Sequence, residues 1–343
     1  MENILQGVSL FDNYDTIVTI STIPPFSTMI IGLGETVYDI IFKEDQPLKA
    51  VPGGSAFNAM VSLGRSGADC LMVTETGDDH VGDIITQFLR DNGVNTDYVY
   101  RHKGTKSHVS LAFLNANNDA EYQFYKDHAA LRLPDRMPDI KSGDIVLFGS
   151  YFAINPVIRD YVSHFLHVAN EKGAILYYDI NFRASHKDEI PQLRGNIEEN
   201  MRLATIVRGS SEDFSILYGT TTGEEAYSCV KNLCDTFVYT DAANPVQVFT
   251  SGGKQTFPVP QVKTVSTIGA GDNFNAGFCY ELYNVLLDNE DMLIDSFQML
   301  ENKSESAKSI IWSRLPQFVA TGTRFSAAVC QSLDNYIKSP LLQ

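Results

Sequence analysis

Neither a long apolar run nor a cysteine framework is present in this 343-residue chain. No stretch approaches the roughly 18 consecutive apolar residues of a membrane span, and residues 1–28 lack the basic start, apolar centre and small-residue cleavage site of a secretory signal. The five cysteines, Cys70, Cys229, Cys234, Cys279 and Cys330, are odd in number and scattered, without a Cys-x-x-Cys pair. That disfavours a disulfide scaffold and a structural zinc site, and it suits a reducing cytoplasm. Basic residues are scarce: 26 Lys and Arg stand against 42 Asp and Glu, a formal net charge of −16. A surface that tracks nucleic-acid phosphates should be basic, so no nucleic-acid partner is expected. A nucleotide is not excluded, because charge beyond a Debye length of roughly 8 Å is screened and a local cradle can hold phosphates on an acidic protein. His164 and His167 share a helix face, but no third ligand type follows at metal-site spacing.

What is present is an ordinary globular composition, 44% hydrophobic and 20% charged. Apolar runs read as strands at Met29–Gly32, Cys70–Thr74, Ile145–Phe148, Ile175–Asp179, Thr205–Arg208 and Phe237–Thr240, with helical patterns between most of them. That alternation predicts a mostly parallel sheet covered on both faces, with ligands gathered beyond the carboxyl ends of the strands. Asp39, Asp179, Asn181, Ser211 and Asp213 all fall just after expected strands. Two stretches break the rhythm and read as extra strands, 40–51 and 98–126, the second with Asn115–Asp119 as a hairpin turn. A plain surface hairpin is the competing reading. Residues 1–26 are an extension without an assigned role, and 27–343 form the expected domain.

Two glycine-bearing segments carry chemistry. In Ser266-Thr267-Ile268-Gly269-Ala270-Gly271-Asp272-Asn273-Phe274 the amides of Gly269, Ala270 and Gly271 and the start of the following helix make a cradle for an anion. Asp272 stands at its rim, either as a helix N-cap or as a group that takes a proton. In Pro52-Gly53-Gly54-Ser55-Ala56-Phe57-Asn58 a glycine pair again precedes a helix, with the amide of Asn58 on its first turn.

Together these segments resemble the two signature regions of the PfkB, or ribokinase-like, carbohydrate kinases. The resemblance continues through GLGETVYD at 32–39, TGDDHVG at 76–82, YDINFR at 178–183 and RGSSEDF at 208–214. It implies a three-layer α/β/α sandwich in which about 40–51 and 98–126 form a small β-sheet lid over the sugar, and ATP- and Mg²⁺-dependent phosphorylation of a primary hydroxyl on a small sugar or sugar acid. In the resembled kinases Asp272 would be the base, and Gly269, Ala270 and Gly271 the anion hole. Asp39, Gly53, Gly54 and Asn58 would hold the sugar, while Asn181, Thr240 and Thr267 would lie on the nucleotide side. Asp213 would act towards the metal, with capping of the next helix as its alternative. Fructokinases and 2-keto-3-deoxygluconate kinases are the nearest in motifs, and a lid sheet with open edges suggests a homodimer.

Departures qualify this. Ser266 replaces the family's usual Asp before Thr267, which counts against potassium activation. The stretch Thr240-Asp241-Ala242-Ala243-Asn244-Pro245 lacks both glycines of the family's nucleotide loop. They motivate a rival reading, a sugar- or nucleotide-sensing relative without turnover. A dinucleotide-dependent oxidoreductase, suggested by Gly32-x-Gly34, lacks the third glycine of its fingerprint.

Overall fold

The computed structural model describes residues 28–115, 120–125, 136–288 and 313–340. The extension 1–26 and most of the turn expected at 115–119 lie outside these. In chain order the elements are β1 (Ile30–Leu33), β2 (Val37–Lys43), β3 (Gln46–Gly53), α1 (Ser55–Arg65), β4 (Cys70–Gly77), α2 (His80–Asp91), β5 (Val99–His102), β6 (Val109–Leu114), β7 (Ala120–Tyr125) and β8 (Ile145–Gly149). There follow α3 (Ser150–Ile154), α4 (Arg159–Glu171), β9 (Ile175–Asp179), α5 (Ile190–Leu203), β10 (Ile206–Ser210), α6 (Ser211–Tyr218), α7 (Gly223–Val230) and β11 (Phe237–Thr240). The described chain closes with β12 (Val246–Thr250), β13 (Gly253–Phe257), α8 (Ala270–Asp288) and α9 (Leu315–Cys330).

The six apolar runs are β1, β4, β8, β9, β10 and β11, and they lie at the heart of a nine-stranded sheet ordered β13-β12-β11-β10-β9-β8-β1-β4-β5. They are apolar almost throughout because both of their faces are covered, which is the signature of a parallel sheet. Pairing is parallel from β5 to β11, for example Ile30 with Cys70 and Ile145, and turns antiparallel only for β12 and β13. Successive side chains divide between two cores. Ile30, Met72, Leu147, Tyr177 and Val238 pack with Phe57, Met60, Phe278 and Phe318 of α1, α8 and α9. Ile31, Val73, Phe148, Tyr178 and Phe237 pack with Phe165, Leu193 and Phe214 of α4, α5 and α6. The result is a three-layer α/β/α sandwich with all parallel carboxyl ends on one side.

A second sheet, ordered β3-β2-β6-β7, stands at that side. Its central pair, β2 and β6, is parallel and sets Asp39 opposite Ser110. The division of 98–126 differs from the sequence reading. Val99–His102 pairs with β4, which runs on to Gly77 and offers a parallel edge, so β5 closes the large sheet and only β6 and β7 join the small one. Asp39 likewise sits within a strand of the small sheet and not in a loop after β1.

The C-terminal segment after α9 ties the site's elements together through one buried amide. Asn273 donates Nδ2 to the carbonyls of Gly269 and Asn335, both at 2.8 Å, and accepts from Ser62 Oγ at 2.5 Å. The Ile337 amide in turn donates to Ser62 Oγ at 3.1 Å. Asn273→Ala leaves two carbonyls and a hydroxyl buried without these partners, each a desolvation cost, so a loss of about 2–4 kcal/mol is expected in urea unfolding. A loss below about 1 kcal/mol would show that this knot does not hold the three segments.

Candidate active site

Two helix starts meet here. α1 begins after Gly54, whose φ of +126° lies in the region that favours glycine and where an added Cβ would stand 2.4 Å from the Glu35 carbonyl. Ser55 and Asn58, three residues apart, therefore share one face of its first turn. α8 begins after Gly269, at φ +75°, where a Cβ would strike the Asn335 carbonyl at 2.5 Å. Across the junction Ser55 Oγ donates to Asp272 Oδ1 and Asn58 Nδ2 donates to Asp272 Oδ2, each at 2.8 Å. Asp272 is thus not an N-cap: it is the third residue of α8, and its carboxylate is clamped by the other helix. Only 8% of it is exposed. Burial raises its pKa, the charge of Asp179 adds to that, and Asn58, Ser55 and Arg183 oppose it. Asn58 Oδ1 has no partner among the described residues.

The amides divide unevenly. The Ala270 N–H is already given to the Thr267 carbonyl at 3.1 Å, and the Ile268 N–H to Ser266 Oγ at 3.2 Å. Of the expected trio Ala270 is therefore spent inside the turn. The amides of Gly271 and Asp272, in the first turn of α8, have no intrahelical acceptor and point where the helix dipole is positive.

Asp39 lies beside this junction. Its Oδ1 accepts from the Ser110 hydroxyl, and a Cβ on Gly53 would lie 2.3 Å from its Oδ2, so Gly53 is a point of close approach. Burial, with the charges of Glu35 and Asp272, pushes the Asp39 carboxyl up to about 6 against the Ser110 bond. Asp39, Gly53, Gly54, Asn58 and Asp272 thus form one cluster. Glu75 stands nearby on β4, bonded to His102 Nε2 at 3.1 Å and pushed up to about 7 by burial and by Glu35.

The opposite side lies at the ends of β9, β10 and β11. Asn181 follows β9 with φ +38°; Ser150 after β8 and Ala242 after β11 are also left-handed, at φ +49° and +46°. Such backbone persists only where its surroundings enforce it, and here three cases lie beyond the carboxyl ends of the strands. Thr240 Oγ1 accepts from Arg208 Nη2 at 2.6 Å, and Thr267 uses its carbonyl to close the turn before α8. Asp213 is the N3 member of a capping box on α6: Oδ2 accepts from the Ser210 amide and hydroxyl at 2.6 and 2.7 Å, and Oδ1 from the Phe182 amide at 2.7 Å. Among the described residues no group of three or more His, Cys, Asp or Glu is arranged to hold a metal. Both carboxylate oxygens of Asp213 are taken by its hydrogen bonds with Ser210 and Phe182. No described helix is long and apolar enough to cross a membrane.

Sequence reasoning missed Ser55, Ser110, Arg208 and Asn275. The spacing of Ser55 and Asn58 on one helical turn was a usable signal. Ser110 depends on pairing between strands far apart in sequence, and Arg208 on packing beneath α8.

A pfkB family carbohydrate kinase profile matches residues 27–298, most of the chain. The chain belongs to the pfkB family of carbohydrate kinases. Among its relatives, the aminoimidazole riboside kinase of Salmonella typhimurium (strain LT2) is 26% identical over 256 residues, covering 73% of this chain and 79% of that one. Fructokinase-2 of Solanum habrochaites is 26% identical over 282 residues, covering 80% and 85%. A fructokinase from Vibrio cholerae O395, solved with fructose, ADP and a calcium ion, superposes with a TM-score of 0.75 at 21% identity, covering 90% of this chain and 95% of its own. The likeness places this pfkB kinase in the ribokinase-like fold.

Asp39 yields a stability prediction. A carboxyl held at about 6 in the folded protein, against its usual 3.8, binds its proton more tightly when folded. On this group's account stability falls as pH rises from about 4 to 6 and is at its lowest above that. Asp39→Asn should raise the melting temperature at pH 7, corresponding to about 3 kcal/mol of stability, and leave it nearly unchanged near pH 4. A lower melting temperature at pH 7 would contradict the burial argument.

Proposed function

We propose that this carbohydrate kinase moves the γ-phosphoryl group of ATP to a primary hydroxyl of a small neutral sugar, with Asp272 as general base. The observation that carries the reading is the Asp272 carboxylate, fixed through both oxygens by α1 and set on the first turn of α8 beside amides that have no acceptor among the described residues. The acceptor hydroxyl gives its proton to Asp272 as its oxygen bonds to the γ-phosphorus. The bond from that phosphorus to the bridging oxygen breaks, and its electron pair leaves with ADP. Gly271 and Asp272 amides face the oxygens of the migrating group, and preorganised donors of this kind are worth about 2.7–4 kcal/mol each in a dry site. A divalent ion such as Mg²⁺ would come bound to the nucleotide's phosphates, in keeping with its preference for phosphate and water over a protein cage.

Asp39 and the free Oδ1 of Asn58 suit sugar hydroxyls, which donate to both. The charges of Asp39, Glu35 and Asp272 act on one another in this cluster, so a substrate carboxylate would meet repulsion. That favours a hexose or riboside over a keto-deoxy sugar acid, and the names of the relatives agree. In this reading the four-stranded sheet closes over the sugar and excludes water. Its edge strand β7, with Phe124 48% and Tyr125 59% exposed, is where a second copy would pair.

The test is phosphoryl transfer from ATP across hexoses, pentoses, nucleosides and keto-deoxy acids. Asp272→Asn should lower kcat by about 10²–10⁴-fold, the usual worth of a general base, with acceptor and nucleotide dissociation constants little changed. Near-normal turnover in that variant would remove Asp272 as the base. Binding by the wild-type protein with no transfer to any acceptor would favour a sensing role.

A further inference from the structure

Arg208 is a buried cation in a place where elementary electrostatics disfavours one. It lies in the middle of β10, 7% exposed, and its guanidinium rests against the first turn of α8: a Cβ added to Gly271 would stand 3.2 Å from both Nη1 and Nη2. The positive end of a helix dipole repels a cation, and burial adds a desolvation cost. Two fixed bonds offset this. Nη1 pairs with Asp179 Oδ1 at 2.9 Å, and Nη2 donates to Thr240 Oγ1 at 2.6 Å. Asp179 Oδ2 in turn accepts from Asn275 Nδ2 at 2.8 Å, and Asn275 Oδ1 from the Tyr177 hydroxyl at 3.1 Å. Three strands and α8 therefore converge on one guanidinium behind the anion cradle.

We infer that Arg208 is a positioning residue for phosphoryl transfer: anchored by Asp179 and Thr240, its guanidinium buttresses the Gly271 turn from behind and cancels the buried charge of Asp179 that faces Asp272. The inference rests on Asp272 being the base. The charged groups around Asp272 and its neighbours are Asp179 on β9, Arg183 beyond it, Asp39 on β2 with Glu35 ahead of that strand, and Arg208 on β10, which faces Asp179 and Asp213, while α1 offers only the neutral Ser55 and Asn58. Of the two cations Arg183 is exposed, so Arg208 is the buried counterweight to Asp179. Without it the charge on Asp179 would act unscreened on Asp272 and favour its protonated, inactive form. The same guanidinium fixes Gly271, whose amide meets the migrating phosphoryl group.

The pH dependence of kcat/KM for Arg208→Met, Arg208→Lys and Arg208→Met with Asp179→Asn separates this from a merely structural role. Arg208→Met should lower kcat about 10²-fold through the loosened turn and move the acid limb to higher pH on the order of one unit. The paired Asp179→Asn change should return the limb to its wild-type position without restoring kcat. Arg208→Lys keeps the charge but not the fork, and should leave the limb in place while kcat falls. If Arg208→Met alone fails to fold, the double variant, which removes both charges, and Arg208→Lys still decide the matter. A wild-type acid limb in folded Arg208→Met, or wild-type kcat in the double variant, would overturn the inference. An inactive wild-type protein on every acceptor would instead overturn the kinase reading of Asp272.

Discussion

The site depends on two helix N-termini being aimed at the same point and held there by one carboxylate. Each helix start brings unpaired amides and a partial positive charge, and left alone the two would repel. Asp272 belongs to one helix and takes both of its hydrogen bonds from the other, so it ties α8 to α1 while staying in the field of both. Everything placed nearby follows from keeping that junction fixed: Gly54 and Gly269 let the chain enter each helix in a left-handed conformation, and Asn273 knots the two helices to the C-terminal segment.

That junction is held at some cost to stability. Asp39, Asp179, Asp213, Asp272 and Arg208 are all buried. Burial raises the carboxyls of Asp39, Asp213 and Asp272, and a protein selected only for stability would place apolar groups there. The two cores on either side of the sheet, with Phe57, Phe278 and Phe318 on one face and Phe148, Phe165 and Phe214 on the other, supply the compensating apolar burial. The division is the usual one for an open α/β sheet: packing in the middle, chemistry beyond the carboxyl ends.

Much of this was legible in the chain. The six central strands announce themselves because a strand covered on both faces must be apolar throughout, and Ile175–Asp179 and Phe237–Thr240 match residue for residue. Val99–His102 was misassigned to the small sheet because its side chains are only half-buried, and an edge strand shares that pattern with a hairpin. Asp213 reads equally as a metal residue or a helix cap, and only its contacts with Ser210 and Phe182 show the cap. Ala270 likewise offers an amide on paper that the turn itself consumes. Arg208 stayed out of view for a different reason: its meaning lies in contacts with Asp179, Thr240 and Gly271, which are brought together only by the sheet order β11-β10-β9 and the docking of α8.

A crystal structure of the protein with a non-hydrolysable ATP analogue and an unphosphorylated sugar acceptor tests the central claim most directly. The account predicts the acceptor's primary hydroxyl within about 3 Å of an Asp272 carboxylate oxygen, with the terminal phosphate against the amides of Gly271 and Asp272. A terminal phosphate bound away from the start of α8, or an acceptor hydroxyl turned to another group, would contradict it.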